Sequence, residues 1–351
     1  MRVLLSSSVL LFATAATAQE RAHPNPRYIA DIDAPVEHVK LSDVHDPPPW
    51  VTRASEVLRL GALDGPTEEV FGEVRHVLIW EERVHILDGQ SQSIRVFTLS
   101  GDFLQEVGGP GEGPGEFRHP QAMARLSNGD LVVSDLRRQF YVFRPSGDSL
   151  IFHETWHSSL SPTHLCSIGD TLYGHAVRPD SPYVIHGIQV GGRVVASFGE
   201  IYNSDSQMAN FQIRQGRIAC DLVHNHIIYG PGGALGELRV FRGDGAPVRR
   251  VVVSDFRPID LISDGSRTRV TVPDGGFHGL NALEPLPAGG FWAQYASRDR
   301  AGIEFQQLHT LTIETNRVNG VRFDHSLVAA TESYFVVVEA ELYPVVRVFR
   351  Y

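Results

Sequence analysis

Three features of the sequence predict an all-β chain folded as a six-bladed β-propeller with four antiparallel strands per blade. Short apolar runs are bounded by glycine turns, a four-strand pattern recurs, and the last copy of that pattern stops one strand short. The runs "HVLIW", "RVHIL", "SIRVFTL", "DFLQEV", "DLVVSD" and "QFYVF" are rich in Val, Ile, Leu and Phe, which fit a pleated, half-buried surface. Between them stand "LSGD", "SNGD", "PSGD", "RGDG" and "PAGG", where glycine supplies the positive φ that tight turns need. No long segment carries the i, i+3, i+4, i+7 apolar stripe of an amphipathic helix.

The repeat fixes the architecture. "SIRVFTLSGDFLQEVG" (93–108) is echoed by "QFYVFRPSGDSLIFHE" (139–154), "VIHGIQVGGRVVASFG" (184–199) and "ELRVFRGDGAPVRRVV" (237–252), with looser copies at 308–323 and 344–351. A hairpin such as "AMARLSNGDLVVSD" precedes each copy, so the repeating unit holds four strands, and the count comes to six. The final copy ends at "VVRVFRY". "SEVLRLG" (55–61) resembles the fourth strands "DFLQEVG" and "RVVASFG", so it is expected to complete the last blade and remove the open sheet edge.

Upstream of that strand lie two further segments. Residues 1–18 carry Arg2, an apolar run from Val3 to Phe12 and a small-residue end at Ala16-Thr17-Ala18, the physical marks of a secretory signal peptide. The apolar run is shorter than the roughly 20 residues that span a bilayer. No cysteine follows the cleavage site, so the expectation is an exported protein, periplasmic or secreted, without a lipoprotein anchor or membrane span. Residues 19–54 include "HPNPRY" and "HDPPPW" and read as a proline-rich, extended lead-in in which Tyr28, Val36, Leu41 and Trp50 are the side chains able to pack.

Composition narrows the function classes. The 351-residue chain has a formal net charge of −10, and an acidic, exported chain argues against a nucleic-acid partner. There are two cysteines, Cys166 and Cys220, near the inner strands of blades three and four. An exported protein permits a disulfide between them. With Leu172 and Ile227 taken as equivalent positions, however, the two cysteines differ in strand parity, which favours two buried thiols.

The most conspicuous motif is "GGPGEGPGEFRHP" (108–120). It lacks the Lys-Ser/Thr of a P-loop, fails G-x-G-x-x-G in both registers, and carries Glu112 and Glu116, which would repel phosphate. In a propeller it joins the outer strand of one blade to the inner strand of the next, with Phe117 as a wedge between blades and Pro120 starting the new strand. Together with "GDLVVSD…QFYVFRPSGD", this stretch resembles NHL-repeat-like and related bacterial six-bladed β-propellers. Their repeats carry G-x-G-P-G-E-F, a proline, then D-G-x-I/L-x-V-x-D. The resemblance is closest over 74–150, with Asp88 and Asp135 at the repeat's aspartate position and Glu339 in their place in blade six. It implies the fold, and it implies no single activity, because such propellers include scaffolds, receptors and enzymes.

Blade-to-blade connections and second-to-third-strand loops share one face, and there the sequence places Arg118, His119, Arg137, Arg138, Arg178 and Tyr343 as candidate ligand-binding residues. Such arginines suit an anionic small molecule or a protein surface. The leading expectation is therefore a monomeric binding module using this loop face, with no cofactor. The alternative is a metal-dependent hydrolase of lactonase type holding calcium or zinc in the central channel. His224 and His226 form an H-x-H pair at a strand-one to strand-two turn, and they are weak zinc candidates with no third ligand adjacent.

Overall fold

The computed structural model describes residues 34–351, apart from 47, 48, 179, 201–213, 234, 264–267, 275, 287, 299–304, 315, 316, 322, 324 and 341. Six antiparallel units of four strands surround a central channel. Blade 1 comprises Val74–Trp80, Arg83–Asp88, Ser93–Thr98 and Phe103–Gly108; blade 2 comprises Pro120–Arg125, Leu131–Asp135, Gln139–Ser146 and Ser149–His157. Blade 3 runs through His164–Ile168, Thr171–His175, Tyr183–Gln189 and Arg193–Glu200, and blade 4 through Gly216–Asp221, His226–Pro231, Glu237–Arg242 and Pro247–Val253. Blade 5 comprises Phe277–Pro285, Phe291–Arg298, Phe305–Glu314 and Arg317–Val321. The first strand of each blade faces the axis, and these six inner strands are neighbours in a closed ring.

Closure follows the expected route. Blade 6 is built from Leu327–Ala330, Tyr334–Ala340 and Pro344–Arg350, and its fourth strand is Ser55–Leu60. The register places Leu60 opposite Val346, Leu58 opposite Val348 and Ser55 opposite Arg350. Leu58 and Leu60 are buried among Val336, Val346 and Val348, while Arg347 bridges Glu56 and Glu339 across the sheet.

A β-bulge recurs where the third strand pairs with the fourth. It falls at Val96/Phe97, Val142/Phe143, Gly187/Ile188, Val240/Phe241 and Val348/Phe349, in every blade but the fifth. This is the physical content of the repeated "VF" motif: an extra residue on the outer strand bends it and strengthens the local twist.

The described part of the lead-in docks on the propeller rim. Val36–Val39 adds to the outer edge of blade 4 in parallel, with Val36 opposite Arg250 and Val39 opposite Val253. Val44–His45 then adds in parallel to Arg317–Val321 of blade 5. Between them Leu41 is 2 % exposed and packs with Val251, Val253, Leu311 and Ile313. The Asp255 carboxylate accepts from the Leu41 and Ser42 amides at 2.7 and 2.9 Å, which holds the turn in place. Of the other side chains expected to pack, Val36 is half exposed, and Tyr28 and the Trp50 side chain lie outside the description.

Cys166 and Cys220 form a disulfide, with Cα atoms 5.6 Å apart, which corrects the expectation of thiols. The error lay in the chosen equivalence. Cys166 stands opposite Tyr173 and Cys220 opposite Ile227, so Tyr173, not Leu172, corresponds to Ile227, and the parities agree. The bond ties the inner strands of blades 3 and 4 and closes a loop with sequence separation 54. Replacing both cysteines by serine is expected to cost about 2–4 kcal/mol. Urea unfolding followed by circular dichroism measures this, and an unchanged midpoint would show that the crosslink adds nothing to stability.

Candidate functional site

The "GGPGEGPGEFRHP" loop folds back on itself. The Phe117 amide donates to Gly109 O at 2.8 Å, the Gly111 amide donates to Phe117 O at 3.0 Å, and Glu116 Oε2 accepts from the Gly113 amide at 2.7 Å. Gly108 sits at φ +91°, and a Cβ there would fall 2.3 Å from the Phe117 ring. The loop amides are thus directed at the loop's own acceptors, and glycine at 108 makes room for the wedge. Phe117 is fully buried, with ring centroids 5.2 Å from Tyr141 and 5.8 Å from Phe143.

Asp88 and Asp135 hold the same face together. Asp88 accepts from the amides of Gly72, Glu73, Gln90 and Ser91, which keeps its carboxyl below the usual range despite burial. Asp135 accepts from the amides of Arg118, His119 and Arg137. Each carboxylate ties a blade-to-blade connection to a second-to-third-strand loop. In blade 6, Glu339 instead accepts from Arg347, a side chain of its own sheet.

The loop-face arginines are brought together only in part. Arg118 and Arg137 both pair with Glu112 of the glycine loop, and Arg178 pairs with Asp180, its neighbour two residues on. Arg138 and His119 are exposed, and Tyr343 is half-buried at the blade 6 loop. The positive groups of this face are therefore largely matched by adjacent acids, and among the described residues the blade 2, blade 3 and blade 6 positions share no ion pair or hydrogen bond.

The channel presents different chemistry. A cavity of about 880 Å³ runs along all six inner strands and opens among the strand-one to strand-two turns, the face opposite the loop face. His76, His164, Arg217 and Glu284 line it. Arg217 Nη1 contacts His164 Nε2 at 3.1 Å, and His164 Nδ1 lies 3.2 Å from Thr163 Oγ1. Thr163 Oγ1 is in turn 3.2 Å from His175 Nδ1, and His175 Nε2 is 2.9 Å from Arg214 O. Because the guanidinium can only donate and the Arg214 carbonyl can only accept, every proton in this chain has one place. Arg217 donates to His164 Nε2, His164 Nδ1–H to Thr163, Thr163 O–H to His175 Nδ1, and His175 Nε2–H to the carbonyl. Both imidazoles must be neutral for this, and burial lowers His175 to about 4 and His164 well below its ordinary value.

His76 is fixed in the same way: its Nδ1 accepts the Met123 amide at 2.9 Å, and burial lowers it to about 4. Glu284 accepts the Ala330 amide, yet burial pushes its pKa up to about 8 against the pull of Arg217. At neutral pH its carboxyl is largely protonated. Among the described residues Arg217 makes no ion pair. The channel therefore holds a desolvated guanidinium beside a neutral imidazole and a carboxyl whose pKa is raised.

The buried imidazoles, including His85 on the second strand of blade 1, also set a pH dependence. His76, His85 and His175 fall from 6.5 to about 4 on folding, so the unfolded chain binds more protons between those values. Their contribution to stability is whole above about 6.5 and is lost as pH falls toward about 4. Glu284 acts with the opposite sign from about pH 4.5 to about 8, since its folded pKa is raised, and offsets part of this loss. The melting temperature is expected to fall steadily below pH ~6.5. A flat profile from pH ~6.5 to ~4 would contradict the neutrality of these buried imidazoles.

The sequence pointed first to the loops, and to the channel only as the seat of a metal, without marking His76, His164, Arg217 or Glu284. The available signal was the polar residue interrupting an inner-strand run, as in "RHVLIW", "HLCSI", "GRIACD" and "NALEP". The H-x-H pair lies where expected, at the first turn of blade 4, but a third potential ligand does accompany it. Asp221, His224 and His226 have ligand atoms all within 4.8 Å of one another.

Residues 58–135 match a family model described as a 6-bladed beta-propeller. A search of curated proteins finds no match by sequence. Among solved structures the chain is similar to a Bacteroides fragilis protein whose export is inferred, at 10% identity and TM-score 0.59, covering 90% of this chain and 99% of that one. It is also similar to a member of the DUF4221 family from Bacteroides vulgatus, at 9% identity and TM-score 0.57, covering 85% and 98%. A virginiamycin B lyase from Staphylococcus aureus aligns at 9% identity and TM-score 0.50, covering 85% and 100%. These likenesses establish the propeller fold. Among the described residues no helix is long and apolar enough to cross a membrane.

Proposed function

We propose that this protein is an exported binding module that takes a small anionic molecule, of carboxylate or similar chemistry, into the central channel of its propeller. The observation that carries this reading is Arg217: a guanidinium inside a cavity of about 880 Å³, beside a neutral imidazole and without an ion-pair partner among the described residues. A desolvated cation of this kind gains most from an anion that enters with its own hydrogen-bond acceptors. His76 and a protonated Glu284 add neutral donors to the same cavity, which suits a ligand carrying polar groups beyond its charge.

Export is supported by the leader-like residues 1–18 and by the Cys166–Cys220 disulfide, which persists in an oxidising compartment. The loop-face arginines carry the reading less well than the channel does, because Arg118, Arg137 and Arg178 are already paired with acids.

Calorimetric titration with a panel of small mono-, di- and tricarboxylates tests the proposal. Arg217→Met is expected to weaken the best binder at least about tenfold, the value of a lost charge-assisted hydrogen bond. Equal affinity in the variant, or no binding by any member of the panel, would overturn it.

A further inference from the structure

At the first turn of blade 4, a second site of different chemistry is assembled beside the channel mouth. Asp221 closes the inner strand Gly216–Asp221 and lines the cavity, His224 occupies the turn, and His226 opens the next strand. We propose that Asp221, His224 and His226 form a binding site for a late first-row dication, Zn²⁺ foremost.

The three side chains present one carboxylate oxygen and two imidazole nitrogens, a donor set that suits zinc and is poorly matched to the all-oxygen preference of calcium. Their ligand atoms already lie within 4.8 Å of one another, and the two rings stand 5.7 Å apart at 22°. Small side-chain rotations bring such a set to coordination distance without moving the backbone of the turn. Asn225, at φ +54°, gives the turn the left-handed step that lets His224 and His226 share one side.

The surroundings hold these groups in place. Asp221 is 2 % exposed, and its Oδ1 accepts from the Val223 and His224 amides at 2.9 and 3.3 Å. Its Oδ2 accepts from His224 Nδ1 at 2.7 Å and from the Gly290 amide of blade 5 at 2.6 Å. Metal binding would replace the proton shared between His224 Nδ1 and Asp221 Oδ2, and the neutral ring would then keep its proton on Nε2. The Gly290 amide would remain as the outer partner that orients the carboxylate. Gly289, at φ +92°, makes room for the ring: a Cβ there would fall 2.3 Å from His224 Cε1. Blade 4 supplies the ligands and blade 5 supplies their support. Three protein ligands leave a fourth tetrahedral position for water or an anion.

The site differs from the Arg217 locus in residues and in chemistry, so the two proposals stand or fall separately. The test is calorimetric titration of the chelator-treated full chain with ZnCl₂, with CaCl₂ as the contrast, in the parent, His226→Ala and His224→Ala proteins. One zinc per chain is expected in the parent, weakened at least about tenfold in each variant, with no calcium heat. The chain has 16 histidines, so stoichiometry by itself does not identify the site and the variants carry the assignment. Metal-free melting curves confirm that each variant is folded. If His224→Ala loses its fold because the ring fills the Gly289 recess, His226→Ala carries the result. The cobalt-substituted protein should also show visible d–d absorption that His226→Ala abolishes. Absence of stoichiometric zinc, or zinc binding unchanged in the folded variants, would overturn the proposal.

Discussion

Truncation of the chain to begin at residue 61 is expected to abolish cooperative unfolding. Ser55–Leu60 is the outer strand of blade 6 and is paired along its length with Pro344–Arg350. Without it, Leu58 and Leu60 no longer cover Val336, Val346 and Val348, and Arg347 loses Glu56. The backbone groups of the last strand become an unpaired edge, exposed to solvent and to other chains. A closed ring has no terminal blade, so damage to one blade also removes support from both neighbours. The control is a truncation that begins at residue 55, which loses the pairings at the outer edges of blades 4 and 5 but keeps the closing strand. Calorimetric melting separates the two. The shorter chain should show no sharp transition, while the control retains one at lower temperature. Equal melting of both chains would mean that blade 6 is stable with three strands.

The second large effect is expected at Phe117. Phe117→Ala should destabilise the protein by about 3–5 kcal/mol, the range for emptying a fully buried aromatic site. The ring is wedged between blades 1 and 2, in one cluster with Leu87, Ile94, Val96, Met123, Val133, Tyr141 and Phe143. The site cannot collapse easily, because the sheets on either side are held by their own ladders. The glycine loop meanwhile fixes residue 117 through backbone bonds to Gly109 and Gly111. Urea unfolding gives the difference directly. A loss below about 1 kcal/mol would mean that the wedge does not set the spacing of the blades.

The two effects bear on how much of this protein was legible in its sequence. The closing strand was visible because "SEVLRLG" carries the pattern of a fourth strand, and the wedge because glycine, proline and phenylalanine recur where a blade must be crossed. Asp88 and Asp135 were legible for the same reason, since a repeat leaves a mark wherever each copy must solve the same backbone problem. The channel chemistry has no such mark. His76, His164, Arg217 and Glu284 come from four blades, and each stands in a short inner strand with no motif around it. Only closure of the ring brings them together. Asp221 was missed because its role depends on turn geometry and on the Gly290 amide, which comes from another blade. The disulfide was misjudged by a single residue of register, enough to reverse every side-chain direction along a strand.

The segment from residue 36 to residue 60 has a mechanical consequence. It touches the outer rims of blades 4, 5 and 6 in succession, like a belt fastened at three points. Among the described residues, a pull from the N-terminal side is borne first by Val36–Val39 on blade 4 and the Asp255 clasp at Leu41, and next by Val44–His45 on blade 5. Tension is spent on these fastenings before it reaches the strand that closes the ring. A tether or fusion partner attached at residue 34 would therefore load the rim of blade 4, while the joint in blade 6 stays unstressed until the belt has been peeled away.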